Sequence, residues 1–159
     1  MENLAKFREL PLWKQMAPKV RAEELALVER HVAYILPQME HYADTFPTYT
    51  LHNKEHIHNV VRIMGEILGD QIGMVSGLEA MVLILSAVYH DYGMIYSENE
   101  RGHIASDERF NREFLVEHPG ARVQFEENNR IVSNDLAVWY CRWAHAERVW
   151  QKLEEMEEN

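Results

Sequence analysis

Apolar residues recur along the chain at helical spacing, and no segment shows the sustained alternation that is typical of strands. The pattern predicts a first helix over residues 4–16, divided or kinked at Pro11, and a second over 22–36. A third helix begins near Asn53, with apolar positions at offsets of 3, 4, 7, 10 and 11 residues from Ile57. The sequence therefore predicts an all-α protein, arranged as a helical bundle.

The second half of the chain continues this pattern. Residues 78–91 are apolar nearly all the way round a helix, which predicts that this helix is central and buried. Gly93 lies just past its end, where a residue with positive φ commonly closes a helix. Residues 95–102 are predicted as a polar loop, followed by a helix over 104–116. The last helix is predicted to start between residues 126 and 133 and to run almost to the C-terminus.

One apolar stripe follows that last helix and comprises Leu136, Trp139, Trp143, Ala146, Trp150 and Leu153. Each buried aromatic side chain of this size covers roughly 150–250 Å², so the stripe needs a partner surface. We expect Trp139 and Trp143 to pack on the helical bundle. Trp150 and Leu153 are expected to contact a second copy of the chain or a missing downstream domain.

Composition narrows the possible functions. The chain has 159 residues, 47% of them hydrophobic, which is enough for one domain with its own core. Lys and Arg total 16 against 26 Asp and Glu, and the resulting net charge of −10 argues against a nucleic-acid scaffold or a membrane-surface protein. The single cysteine, Cys141, excludes an internal disulfide and is expected to be a core thiol. The N-terminus lacks the apolar segment of a signal peptide, so we expect a cytoplasmic protein.

The nine histidines are the unusual feature of the chain. His52 and His56 share a helix face because they are four residues apart, whereas His58 is turned about 200° from His56 and should point elsewhere. His90 and Asp91 end the most apolar helix, where a carboxylate opposes the helix dipole and is costly to bury. A divalent cation resolves both problems because it binds neutral imidazole and ionised carboxylate. The pattern therefore predicts a metal site shared by the His52–His56 pair and the His90–Asp91 doublet. Three further histidines are expected on the surface: His31, His41 and His118.

Two segments carry a family resemblance. Residues 50–61, TLHNKEHIHNVV, and residues 85–94, LSAVYHDYGM, resemble the HD-domain metal-dependent phosphohydrolase superfamily. His56 matches the histidine that heads a helix as His-x-x-x-Val in that motif, and it lies 34 residues before His90. The resemblance implies an HD-like bundle and a divalent metal ion held by His56, His90 and Asp91. Nitrogen and oxygen ligands suit Mn, Fe, Zn, Ni or Mg, so the identity of the metal stays open.

Further resemblances suggest roles for other residues. His52 with Asn53 resembles the His-Asn element of cyclic-nucleotide phosphodiesterases, which implies that His52 is catalytic as a general acid. Residues 101–103, RGH, and 142–148, RWAHAER, resemble HD domains at the N-termini of bacterial and archaeal proteins with an Hsp90-like (GHKL) ATPase. On this basis His145 is a candidate metal ligand. The candidate substrate-binding residues are Arg101, His103 and Arg142.

The sequence departs from the superfamily at the aspartate that closes the metal site on a later helix. Asp107 follows Asp91 too closely for that role, and Asp135 comes early. His145 or Asp135 therefore completes the site, or the site is incomplete and the chain is the N-terminal part of a longer domain.

These observations predict one HD-like domain over residues 1–159, with N-terminal helices over 1–47 and the motif-bearing core over 48–149. The leading hypothesis is a metal-dependent phosphohydrolase that acts on a small phosphorylated substrate: a phosphate ester, a phosphodiester or a nucleotide. The alternative is a non-catalytic HD-like regulatory or interaction module with an incomplete metal site. Measurement of bound metal and of phosphodiester or nucleotide hydrolysis distinguishes the enzyme from the non-catalytic module.

Overall fold

The computed structural model describes residues 2–41 and 53–157, and every regular element in those residues is helical. The prediction of an all-α fold is therefore confirmed. The chain divides into two compact units, Met1–Tyr92 and Gly93–Asn159, here called unit 1 and unit 2. The single HD-like domain over residues 1–159 stays a prediction. Among the described residues no single helix is long and apolar enough to cross a membrane, although one bent pair of helices meets the same criteria of length and composition.

Unit 1 follows the predicted helices closely. Its described α-helices are α1 (Glu2–Arg8), α2 (Pro11–Met16), α3 (Ala22–Gln38), α4 (Lys54–Leu68) and α5 (Gly77–Tyr89). The Asn53 side chain caps α4 by accepting hydrogen bonds from the backbone N–H groups of Glu55 and His56, at 3.1 and 3.2 Å. Ser76 and Glu79 form a capping box at the start of α5. Local sequence therefore fixes where both of the helices that lead to the predicted site begin.

Helix α5 is buried on one face only. Ala80, Ile84 and Val88 are fully buried in the core of unit 1, as the apolar composition predicts. Leu78 and Val82 on the other face are 62% and 53% exposed. The prediction of a helix buried all the way round is wrong for that face.

Unit 2 is built around a cluster of aromatic side chains. Its described elements are α6 (Glu98–Ile104), a π-helix (Phe110–Phe114), α7 (Leu115–Glu117), α8 (Pro119–Glu127), α9 (Asn134–Trp143) and α10 (His145–Glu157). Phe110 and Phe114 are fully buried and lie 5.2 and 5.3 Å from the ring of Tyr140. Cys141 is fully buried beside them, which confirms that it is a core thiol.

The polar segment after the His-Asp doublet is helical, and the loop predicted over residues 95–102 is wrong. Ser97 accepts a hydrogen bond from the backbone of Glu100, and the Glu100 carboxylate accepts one from the backbone of Ser97 at 2.7 Å. This capping box starts α6 although the segment has little apolar periodicity. Helix α6 therefore forms from a local polar signal.

The helix predicted over residues 104–116 is interrupted by Asp107. One Asp107 carboxylate oxygen accepts a hydrogen bond from the backbone N–H of Arg109 at 2.8 Å and begins the π-helix. The other accepts a hydrogen bond from the Tyr140 hydroxyl at 2.7 Å. Asp107 therefore has a structural role within unit 2.

The long C-terminal helix predicted from the tryptophan stripe is two helices, because the chain breaks at Ala144 between α9 and α10. The His145 ring nitrogen Nδ1 lies 2.8 Å from the Arg142 carbonyl oxygen, one of the carbonyls that the end of α9 leaves without a helical partner. Periodicity continues across the break, which is why the sequence pattern does not reveal it.

Gly93 does not have the positive φ that its position after α5 predicts. Among the described residues the glycine with a positive φ is Gly69, at 48°, where α4 ends. Gly93 instead lies against α10. A Cβ atom at Gly93 would be 1.9 Å from the carbonyl oxygen of His145. A glycine is needed there because a helix backbone passes too close for any side chain.

The tryptophans of the apolar stripe differ in how they are packed. Trp139 packs edge-on against Phe114 at 5.6 Å and lies 5.2 Å from the ring of His118, so His118 is part of the aromatic cluster and not a free surface residue. Trp143 stacks on Tyr140. Trp150 is 61% exposed, and its contact with a second copy or another domain stays a prediction.

Candidate metal centre

The phase of helix α4 separates His56 from His58. Ile57 and Val61 are fully buried and fix which face of α4 points into unit 1. His58 lies edge-on to Phe7, with ring centroids 5.6 Å apart. His56 instead approaches His90, with ring centroids 5.3 Å apart. The predicted difference between the two histidines is therefore seen in the structure.

His90 is oriented by the end of its own helix. Helix α5 ends at Tyr89, and the His90 backbone N–H still bonds to the Ser86 carbonyl at 3.0 Å. The His90 ring nitrogen Nδ1 donates a hydrogen bond to the carbonyl oxygen of Ala87 at 2.7 Å. Such a bond fixes the ring orientation and, in the neutral imidazole, leaves Nε2 as the ligand atom.

Three ligand atoms meet at this point. His56 Nε2 lies 3.2 Å from His90 Nε2 and 3.6 Å from Asp91 Oδ2, and His90 Nε2 lies 2.7 Å from Asp91 Oδ2. The circle through these three atoms has a radius of about 1.9 Å, slightly shorter than the ~2.0–2.2 Å bonds that a divalent ion makes to imidazole and carboxylate. One ion at normal bond lengths therefore reaches all three atoms, and the donor set fits a divalent metal.

The charges of the site favour a cation. Asp91 is only 9% exposed and lies just beyond the C-terminal end of α5, where the helix dipole is negative. The hydrogen bond with Asp91 raises the pKa of His90, and it outweighs the opposing effect of partial burial. The raised pKa favours a proton on His90 beside the carboxylate. A divalent ion that binds there replaces this proton.

The candidate substrate-binding residues Arg101 and His103 lie on α6 in unit 2. Arg101 donates to the Glu98 carboxylate at 2.5 Å and to the Val132 carbonyl at 3.3 Å. The His103 ring nitrogen Nδ1 lies 2.7 Å from the Asn99 carbonyl oxygen. Both side chains thus have partners within their own unit, and their role in substrate binding stays a prediction.

The remaining candidates are distributed between the undescribed part of the chain and unit 2. His52, the candidate general acid, lies outside the described residues. His145 bonds to the backbone of Arg142 at the break between α9 and α10, and Asp135 is exposed in the first turn of α9. The metal-ligating role of His145 and the substrate-binding role of Arg142 stay predictions.

His31 contacts the helix that carries the His-Asp doublet, which its sequence position was not expected to allow. His31 on α3 is expected on the surface, yet its ring nitrogen Nδ1 hydrogen bonds to the Tyr89 hydroxyl in the last turn of α5. The signal was present in the spacing: His31 lies three residues after Val28, which is buried, and therefore shares the inward face of α3.

A histidine of one helix and a His-Asp doublet at the end of another offer three ligand atoms within 4.8 Å of one another. This arrangement in an all-helical chain has the features of an HD-type domain. The HD-CE family model matches residues 46–158, which is most of the chain, and the chain belongs to the HD-CE family. No curated protein and no solved structure matches the chain.

Proposed function

We propose that this protein is a metal-dependent phosphohydrolase that cleaves a phosphate ester, a phosphodiester or a nucleotide. The observation that carries the proposal is the convergence of His56, His90 and Asp91, whose ligand atoms all lie within 4.8 Å of one another. Membership of the HD-CE family supports it, because the same three residues carry the resemblance to HD phosphohydrolases.

A divalent ion held by these residues supplies Lewis-acid activation of water and neutralises charge that develops on the phosphoryl group. The chain's own contribution is orientation. The Ala87 carbonyl holds the His90 ring, and Asp91 is held close to both imidazoles. Three protein ligands leave further coordination positions for water and substrate, as catalytic metal sites require.

His52 is the proposed general acid, which gives a proton to the departing oxygen. A histidine suits this role because it titrates near neutral pH. If His52 acts in this way, His52→Ala slows hydrolysis of an alkyl or phenyl phosphodiester far more than that of a p-nitrophenyl ester. The p-nitrophenolate leaving group needs little protonation, so an equal loss on both substrates contradicts this role.

The proposal is tested with wild type, Asp91→Ala and the matched control His58→Ala. Each protein is loaded with Mn²⁺, Co²⁺, Ni²⁺, Zn²⁺ or Mg²⁺ and analysed for bound metal and for hydrolysis of p-nitrophenyl phosphate and bis(p-nitrophenyl) phosphate. Asp91→Ala is expected to abolish hydrolysis. It should also lower metal affinity by more than the ~10–100-fold that is typical when a residue hydrogen-bonded to a metal ligand is replaced. His58→Ala is expected to behave like wild type because His58 contacts Phe7.

Equal metal loss in Asp91→Ala and His58→Ala would contradict the assignment of ligands. Stoichiometric metal without hydrolysis of esters, diesters or nucleotides would instead support a non-catalytic HD-like module.

The other proposed residues have their own tests. His145→Ala lowers metal affinity if His145 is a ligand. Loss of Arg101, His103 or Arg142 raises KM for the phosphorylated substrate while bound metal is unchanged.

A further inference from the structure

The last turn of α5 is held by a hydrogen bond from another helix. The Tyr89 hydroxyl bonds to His31 Nδ1 on α3, and the two rings meet edge-on with centroids 5.7 Å apart. Tyr89 is only 8% exposed. The Tyr89 hydroxyl is thus carried by a largely buried side chain, where a polar group needs a hydrogen-bond partner, and His31 supplies one.

Tyr89 and Tyr92 flank the His90–Asp91 doublet in sequence, and their side chains contact each other. His90 and Asp91 are the two residues between Tyr89 and Tyr92, and the two tyrosine rings pack edge-on with centroids 6.0 Å apart. Because these rings contact each other, the backbone of the doublet is held from both ends. His31 connects this tyrosine pair to α3 through its hydrogen bond with the Tyr89 hydroxyl.

The packing of α3 on α5 does not depend on this bond. Val28, Val32 and Ile35 of α3 are fully buried in the core of unit 1, and their burial accounts for the association of the helices. A single hydrogen bond adds little to the net stability of a fold. Its larger effect is on direction, since it restricts the rotation of the turn from which the ligands project.

We propose that His31 is a positioning residue of the metal centre: through the Tyr89 hydroxyl it fixes the last turn of α5 and so the direction of His90 and Asp91. This inference rests on the proposed metal site. His31 is not itself a ligand, and it acts on the site through Tyr89. Residues behind metal ligands that hold them in this way typically change metal affinity about 10–100-fold when they are replaced.

The test is a double-mutant cycle on Co²⁺ binding with His31→Leu, Tyr89→Phe and the double variant. Tyr89→Phe keeps the ring and its packing on Tyr92, and it removes only the hydroxyl. We expect each single variant to weaken Co²⁺ binding about tenfold and to alter the visible d–d spectrum. The double variant should lose no more than either single variant, because both remove the same bond.

Two further variants separate positioning from general stability. His31→Asn keeps a polar atom close to the position of Nδ1 and should recover most of the Co²⁺ affinity and the wild-type spectrum. His58→Leu removes a histidine from the same unit without touching the doublet and should leave both unchanged. Urea unfolding of each metal-free variant shows whether the fold is intact.

Each outcome has one meaning. If wild type binds Co²⁺ and folded His31→Leu and Tyr89→Phe bind it with the same affinity and spectrum, the positioning role is wrong and the metal site stands. Additive losses in the double variant show that His31 does not act through Tyr89, which also overturns the inference. If folded wild type binds no divalent ion, the proposed metal site fails and the inference fails with it.

Discussion

Replacing Gly93 with alanine should destabilise unit 2, because the first turn of α10 lies directly against this glycine. A Cβ atom there would be 1.9 Å from the His145 carbonyl oxygen, 2.8 Å from the His145 carbonyl carbon and 2.9 Å from the Val149 nitrogen. All three are backbone atoms and cannot rotate away. The start of α10 must therefore move by about 1.5 Å before the oxygen reaches an ordinary contact of 3.4 Å.

The size of the effect follows from what this movement breaks. The Arg148 side chain donates hydrogen bonds to the Gly93 carbonyl at 2.7 Å and to the Ile95 carbonyl at 3.0 Å, and a shift of α10 separates both pairs. Each bond contributes about 1 kcal/mol, and overpacking of this kind costs about 1–3 kcal/mol. We expect Gly93→Ala to lower the free energy of unfolding by about 3–5 kcal/mol.

Urea unfolding followed by tryptophan fluorescence and circular dichroism measures this loss. Gly102→Ala is the matched control: Gly102 lies within α6, and a Cβ atom there has nothing within 4 Å. That substitution should stabilise the protein by about 0.5–1 kcal/mol because alanine favours a helix. If Gly93→Ala unfolds within about 0.5 kcal/mol of wild type, the close packing of α10 on Gly93 is wrong.

Three further predictions concern other parts of the molecule. Metal affinity should fall as the pH falls through the raised pKa of His90, because the proton and the metal ion compete for Nε2; titration with Co²⁺ across this range checks it, and a flat profile contradicts it. Burial raises the pKa of Cys141 to about 11 from an ordinary value of 9.0, so folding stability should decline between these pH values, where the unfolded chain loses the thiol proton first. Cys141→Ala should reduce this slope, most clearly near pH 9, below the ordinary pKa of 10.0 of the buried tyrosines Tyr89, Tyr96 and Tyr140, which contribute at higher pH. Native Cys141 should resist a thiol reagent that labels it fully in urea. Trp150→Glu should shift sedimentation toward smaller species if Trp150 forms an interface, and a monomeric wild type with an identical profile rejects that interface.

The metal centre is the part that short-range sequence signals predict well. His56 follows the Asn53 cap at the start of α4, and His90 with Asp91 follows the end of α5. Helix phase and helix ends are set by local hydrogen bonds and by apolar spacing, both of which can be read from the sequence. The distance between the two helices is not readable in this way, and the family resemblance supplied that information.

The errors arise where contacts distant in sequence decide the structure. Gly93 is a glycine because of residues 145–149, so no local rule distinguishes it from a helix-closing glycine. Leu78 and Val82 continue the apolar pattern of α5 but have no covering element among the described residues of unit 1. The missed α6 is a different case, since the Ser97–Glu100 capping box was visible in the sequence and only the weak apolar periodicity hid it.

The position of the His-Asp doublet at a helix end links the charge of Asp91 to the proposed metal site. Asp91 is buried at the negative end of α5, an arrangement that opposes folding unless a positive charge is near. The hydrogen bond to the Asp91 carboxylate raises the pKa of His90 and so favours a proton on this ring, whose Nδ1 donates to the Ala87 carbonyl. A divalent ion at the proposed site would supply more positive charge than that proton with little movement of the ligands, since the three donor atoms already lie 2.7–3.6 Å apart. The contacts that favour a proton beside the buried carboxylate therefore also keep the three side chains close to the geometry that metal binding needs.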